Sequence, residues 1–240
     1  MRSSLILLAT IGFVVGVVST AAGQAPPLSI AVQTGEGTPI SWMPAGTSAG
    51  GDAYDYDGLK TQEGMWSCDW NITADADPQI NSGLIFTNMT GVTQLFSITV
   101  GLPTVLAGPT THGGSFQGGL QDNLIGDGFI AQIATVPASA WYEGQIDGAT
   151  VLSFYPDPPG TTITAPFDGG AANIPFASGG LPGVTLPSGA VNSTIGIKHT
   201  FTLTPNSTAT LTGFFIVVPE PATLGLLAVG AMVLVRRRRR

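Results

Sequence analysis

The chain of 240 residues is acidic, with a formal net charge of −7, and it carries 33 glycines, 18 prolines and a single cysteine. One cysteine excludes an intrachain disulfide framework, and only two histidines leave little room for histidine-ligated metal or general-base chemistry. Six of the eight basic residues sit at the extreme ends, so between residues 24 and 218 two lysines face fourteen acids, a formal charge of −12 that argues against nucleic acid or anionic lipid as a partner.

Residues 1–25 read as a signal peptide. Arg2 supplies a positive start, residues 5–18 an apolar stretch, and residues 19–25 (STAAGQA) the small side chains that a signal peptidase requires. The expected domain, residues 26–217, then shows short alternating runs broken by turn residues, the pattern of antiparallel β structure. Strands are expected at 28–34, around 66–72, at 84–89 and at 92–102, the last two joined as a hairpin through Thr90-Gly91. Further strands are expected near 115–120, 129–136, 141–146, 150–155 and 161–167, with Asp147-Gly148 as a hairpin turn. Residues 168–189 read as a long surface loop, because glycine and proline dominate there. Residues 195–203 and 208–218 alternate most clearly. About ten strands with no helix between them predict an all-β fold, an antiparallel sandwich or jelly-roll-like domain.

Chemistry-bearing motifs are few. Residues 46–50 (GTSAG) satisfy the GxSxG pattern of a nucleophile elbow, but Pro44 precedes them and no amphipathic helix follows, so the required strand–turn–helix context is missing. His199 falls on the apolar face of an expected strand and reads as a core histidine; His112, in a Thr/Gly-rich stretch, reads as more exposed. Cys68 reads as a buried small hydrophobe. Residues 51–58 (GDAYDYDG) concentrate Asp52, Asp55 and Asp57 in what reads as a flexible acidic loop. Hard cations such as calcium take oxygen ligands from such loops, although the spacing departs from an EF-hand. Residues 75–78 (DADP) are a second, weaker acidic candidate. Sequons stand at Asn71, Asn88, Asn192 and Asn206.

The end of the chain has the strongest signal. Val218, Pro219, Glu220 and Pro221 form a stiff extended segment, since each proline fixes φ and restricts the residue before it. An apolar run at 222–235 follows, then Arg236, Arg237, Arg238, Arg239 and Arg240. Fourteen residues of helix span about 21 Å, short of the roughly 30 Å of a hydrocarbon core, and each arginine costs about 2.5–3.5 kcal/mol at the bilayer centre. The expectation is a single short transmembrane helix with an arginine stop, holding the preceding domain outside the cytoplasm.

This order of VPEP, short apolar helix and terminal arginines resembles the C-terminal sorting signal of the PEP-CTERM family of exported bacterial proteins, with residues 218–240 as the signal. The stretches 86–103 and 195–221 also resemble parts of some PEP-CTERM ectodomains, more faintly. The resemblance implies recognition by an exosortase, processing near the Pro-Glu-Pro, a transient stay in the inner membrane, and delivery to the cell surface or polysaccharide matrix. The expected function is therefore a non-enzymatic structural or adhesive component associated with exopolysaccharide. A carbohydrate-binding module, calcium-dependent or not, is the alternative, and an exported hydrolase the third reading.

Overall fold

A computed structural model of the protein describes residues 25–75, 78–124 and 130–220. The strands in chain order are β1 (Ser29–Thr34), β2 (Ile40–Trp42), β3 (Thr47–Gly50), β4 (Ala53–Gln62), β5 (Trp66–Asp75), β6 (Gln79–Asn88), β7 (Gln94–Pro103) and β8 (Thr110–Asp122). They continue with β9 (Gln132–Ala134), β10 (Ala140–Ile146), β11 (Ala149–Pro156), β12 (Thr162–Thr164), β13 (Ala171–Gly179), β14 (Leu186–Ser188), β15 (Thr194–Leu203) and β16 (Ser207–Pro219).

All pairings are antiparallel and form two sheets. The first runs β11-β10-β15-β7-β1-β2, with β9 and β12 extending it beside β15; the second runs β13-β8-β16-β6-β5-β4-β3, with β14 beside β8. Period-two alternation builds the core between them. On β5, Trp66, Cys68, Trp70, Ile72 and Ala74 are buried, while Asp69 and Asn71 between them face water. On β16, Ala209, Leu211, Phe215 and Val217 point inward, and on β15 Ile195, Ile197, His199, Phe201 and Leu203 do the same. Phe86 of one sheet meets Phe96 of the other at 4.6 Å between ring centroids and Phe201 at 6.1 Å. Each such fully buried large apolar side chain contributes about 1.5–3 kcal/mol.

The all-β, two-sheet architecture is the one the alternation predicts, but several expectations are corrected. The described residues contain no helix, and none that is long and apolar enough to cross a membrane, so the transmembrane helix and the membrane stay inferred from it are not supported. The segment assigned to that helix, 222–235, lies outside the described residues, as do the arginines 236–240 and nearly all of the signal peptide. The stretch 168–189 is not one loop, because β13 and β14 pair with β8 there. β13 accommodates Pro175 on an edge strand, where its register shifts between Ile174 and Ala177. β6 and β7 form no hairpin; they belong to different sheets, and residues 89–93 carry the chain across the sandwich. The turn at Asp147-Gly148 does form, with φ values of 51° and 79° that suit a two-residue hairpin.

Both ends of the described chain leave from one pole. Ser29 at the start of β1 pairs with Gly101, and Thr194 at the start of β15 pairs with Pro103 at the end of β7. The Tyr56 hydroxyl donates to the Pro26 carbonyl at 2.7 Å, tying the first described residues to β4, whose Ala53 pairs with Asp75 of β5; Asp75 in turn pairs with Gln79, the partner of Ile216. Pro219 exits beside these positions.

Candidate functional site

β16 ends inside the Val-Pro-Glu-Pro segment, with Val218 and Pro219 as its last residues. It pairs with β8 as far as Val218 with Thr111 and Pro219 with Thr110, and the Glu220 N–H donates to the Pro109 carbonyl at 3.0 Å. Antiparallel residues bond alternately to one neighbour and then the other, so Val218 and Glu220 turn their backbone groups toward β8 while Val217 and Pro219 turn theirs toward β6. On that second side the Val217 N–H donates to the Pro78 carbonyl at 3.0 Å. Pro219, which has no N–H to give, falls on that second side, so it removes no donor from the bonds to β8. Val218 is half-buried, Pro219 exposed and Glu220 half-buried. Pro221 and Arg236–Arg240 lie outside the described residues.

The described domain is all-β, and its last described strand runs directly into the Val-Pro-Glu-Pro segment, the arrangement of a C-terminal address. Comparison with protein families places the PEP-CTERM protein-sorting motif at residues 217–240 of this chain, the first of them inside β16. The motif marks an exported, sorted surface protein and implies processing by an exosortase and signal peptidase system. No curated protein matches the chain.

The aspartates proposed as cation ligands are placed differently from a wrapping loop. Asp52 occupies the turn between β3 and β4, and Asp55 and Asp57 lie at alternate positions along β4. Asp55 Oδ1 accepts a hydrogen bond from Thr73 Oγ1 of β5 at 2.7 Å, and exposed Asp57 lies opposite Asn71. Among the described residues no three or more His, Cys, Asp or Glu side chains group to hold a metal ion. Of the second candidate, Asp75 ends β5 and Asp77 is outside the described residues.

The remaining candidates, Ser48, Cys68, His112 and His199, lie on strands. Ser48 of the GxSxG match lies on exposed edge strand β3, followed by another strand rather than a helix. Cys68 is buried and its thiol is pushed up to about 12 by loss of solvent and by the nearby Asp69 charge, the opposite of an activated nucleophile. His199 is fully buried with Nδ1 2.9 Å from the Trp141 carbonyl, and burial lowers it to about 4. His112, expected to be exposed, is buried with Nε2 3.2 Å from the Val151 carbonyl, and burial likewise lowers it. Of the sequons, Asn88 is fully buried.

Two features escape sequence reasoning. Glu143 and Lys198 sit opposite one another on β10 and β15, 3.7 Å apart; no local spacing announces a pair 55 positions apart. The Asp147 carboxylate accepts hydrogen bonds at 2.7–3.1 Å from the backbone N–H groups of Asn192, Ser193 and Thr194, from the Asn192 side-chain amide and from the Ser193 hydroxyl. These donors hold Asp147 far below the ordinary carboxylate range. Asp147→Ala is expected to lower the Tm by a few degrees at neutral pH, measured by thermal unfolding. A depressed carboxylate stabilises the fold above its unfolded value, about 3.9, so the gap between wild type and variant should narrow as pH falls below that point.

Proposed function

We propose that this exported, sorted surface protein is a structural or adhesive component of the cell envelope that associates with exopolysaccharide. The observation that carries the reading is the outer face of the second sheet. Asp57, Asn71, Gly83, Thr212 and Gln117 lie side by side across β4, β5, β6, β16 and β8, and Asp69, Ile85, Thr210 and Gly119 form the next row. Strands about 4.8 Å apart set amide, hydroxyl and carboxylate groups, with the exposed Leu59 and Ile85 among them, at a spacing suited to contact with successive sugars. Its charges are acidic, since Lys60 lies 5.1 Å from the Trp42 ring centroid and Lys198 pairs with Glu143 on the other sheet. A neutral glycan fits this face better than an anionic one.

Exit of both described ends from one pole supports the same reading, because it leaves the broad sheet face and the far pole clear of the attachment end. In this reading the domain works by binding and scaffolding, without a catalytic centre. The test is co-sedimentation of the protein with exopolysaccharide isolated from its host, beside a variant with Asn71→Ala, Asn81→Ala and Gln117→Ala, three exposed positions on that face. Wild type should sediment with the glycan and the variant should lose most of that association while keeping its Tm. Equal sedimentation of both would remove the face from the reading. Loss of wild-type binding in EDTA would instead favour the calcium-dependent carbohydrate-binding module.

A further inference from the structure

The sorting motif begins inside the described fold, where Val218 and Pro219 close β16. The strand that templates it is itself fixed. Thr110 is fully buried, its hydroxyl donates to the Gly189 carbonyl at 2.6 Å and lies 2.7 Å from Ser188 Oγ, and β14 pairs along Thr110–His112 through Ser188, Pro187 and Leu186. Against this edge Val218 and Pro219 are in register and the Glu220 N–H is bonded to Pro109. A processing enzyme must enclose the backbone on both sides of the bond it cuts, and backbone groups engaged in a sheet are closed to it.

We propose that the folded domain sets the position and the pace of its own processing: residues 218–220 are protected while β16 is paired with β8, so the bond cut in the folded chain lies C-terminal to Glu220, and the pairing at Thr110–Thr111 restrains the enzyme's access to the motif. This rests on the sorting reading above. In the step itself a backbone amide is broken, its acyl carbon passes to water or to an acceptor amine, and the arginine-bearing fragment leaves with a new amino terminus.

Two measurements on the full chain test it. The first is residue-resolved hydrogen exchange of the purified full-length protein, where the Val218 and Glu220 amides should be protected alongside the interior of β16. Exchange at the rate of an unstructured peptide would overturn the proposal. The second, in a host that has the processing enzyme, compares wild type with a variant carrying Gly-Ser-Gly-Ser between Val217 and Val218, which moves the intact motif off β8. Intact mass should show a wild-type product that retains Glu220, and conversion of the variant should be about tenfold faster, the scale of releasing a pair of backbone hydrogen bonds. A wild-type product ending at or before Pro219, or equal rates, would overturn it. If both chains keep Arg236–Arg240, the sorting reading falls and takes this proposal with it, while the exchange data still report separately whether the strand end is held as described.

Discussion

Asn88→Ala is expected to cost about 2–4 kcal/mol of folding stability, among the largest effects of any single polar substitution in the domain. Asn88 is fully buried where two chain crossings between the sheets run side by side, one after β6 and the other between β15 and β16. Its amide nitrogen lies 2.9 Å from the Val92 carbonyl, 2.9 Å from that of Leu203 and 3.0 Å from that of Thr204. Its oxygen accepts from the Thr90 N–H at 2.9 Å and the Thr90 hydroxyl at 2.7 Å. The two amide hydrogens are shared among the three carbonyls, the Leu203 bond being the buried one, and alanine removes these bonds and those from Thr90 together. Asn71→Ala, at an exposed sequon, should change stability by less than about 0.5 kcal/mol. Urea unfolding of the two variants checks the contrast, and equal small effects would show that the crossings hold without Asn88.

Acidification from pH 7 to pH 5 should destabilise the domain, and His199 should account for most of the change. Burial between Phe116 and Tyr142, at ring centroid distances of 5.5 and 5.8 Å, lowers His199 to about 4. The unfolded chain takes up its proton near pH 6.5, so between the two values the unfolded state binds more protons than the native one. Stability is thus full above about pH 6.5 and falls as pH drops toward 4, by up to about 1.4 kcal/mol per pH unit. His112 is shifted in the same direction and adds to the slope. Denaturant unfolding at pH 7, 6 and 5 measures it. His199→Gln, which keeps a donor for the Trp141 carbonyl but does not titrate, should flatten most of the pH dependence; an unchanged slope would assign it elsewhere.

The parts of the fold that could be read directly were those where one face is wholly buried. β5, β15 and β16 alternate because one side of each faces the opposite sheet, and His199 and Cys68 could be assigned to the core from that alternation alone. β4 was hidden for a physical reason. Its inward positions include Gly58, at φ 155°, where a Cβ would come within 2.6 Å of the Trp70 indole, so glycine makes room for a residue on the next strand and interrupts the visible pattern. With that clue missing, Asp55 and Asp57 look like a loop rather than the outer face of a strand. β13 and β14 lie at or beside the edge of their sheet, where proline and glycine are tolerated, and so they resemble loop by composition. The Thr90-Gly91 turn suggests a hairpin because local turn chemistry carries no information about which sheet the next strand joins; the Asn88 contacts that direct the crossing depend on residues more than a hundred positions away.

The sorting motif was legible because it is local, four residues and their flanks, and the family comparison places it at the same end. Its continuity with β16 was not, because pairing to Thr110 and Thr111 is a property of the folded sheet. The tail helix expected from hydropathy has no support among the described residues, and export and sorting stand on the motif itself.

Replacing Pro219, Glu220 and Pro221 together with alanine, and following native and variant chains by intact mass and cell fractionation, bears on sorting more directly than any stability measurement. The native protein should be recovered at the cell surface or in the extracellular matrix without Arg236–Arg240, and the variant should accumulate with its full C-terminus and fail to reach that fraction. If native and variant chains both retain the five arginines and distribute alike, the motif does not direct sorting in this protein.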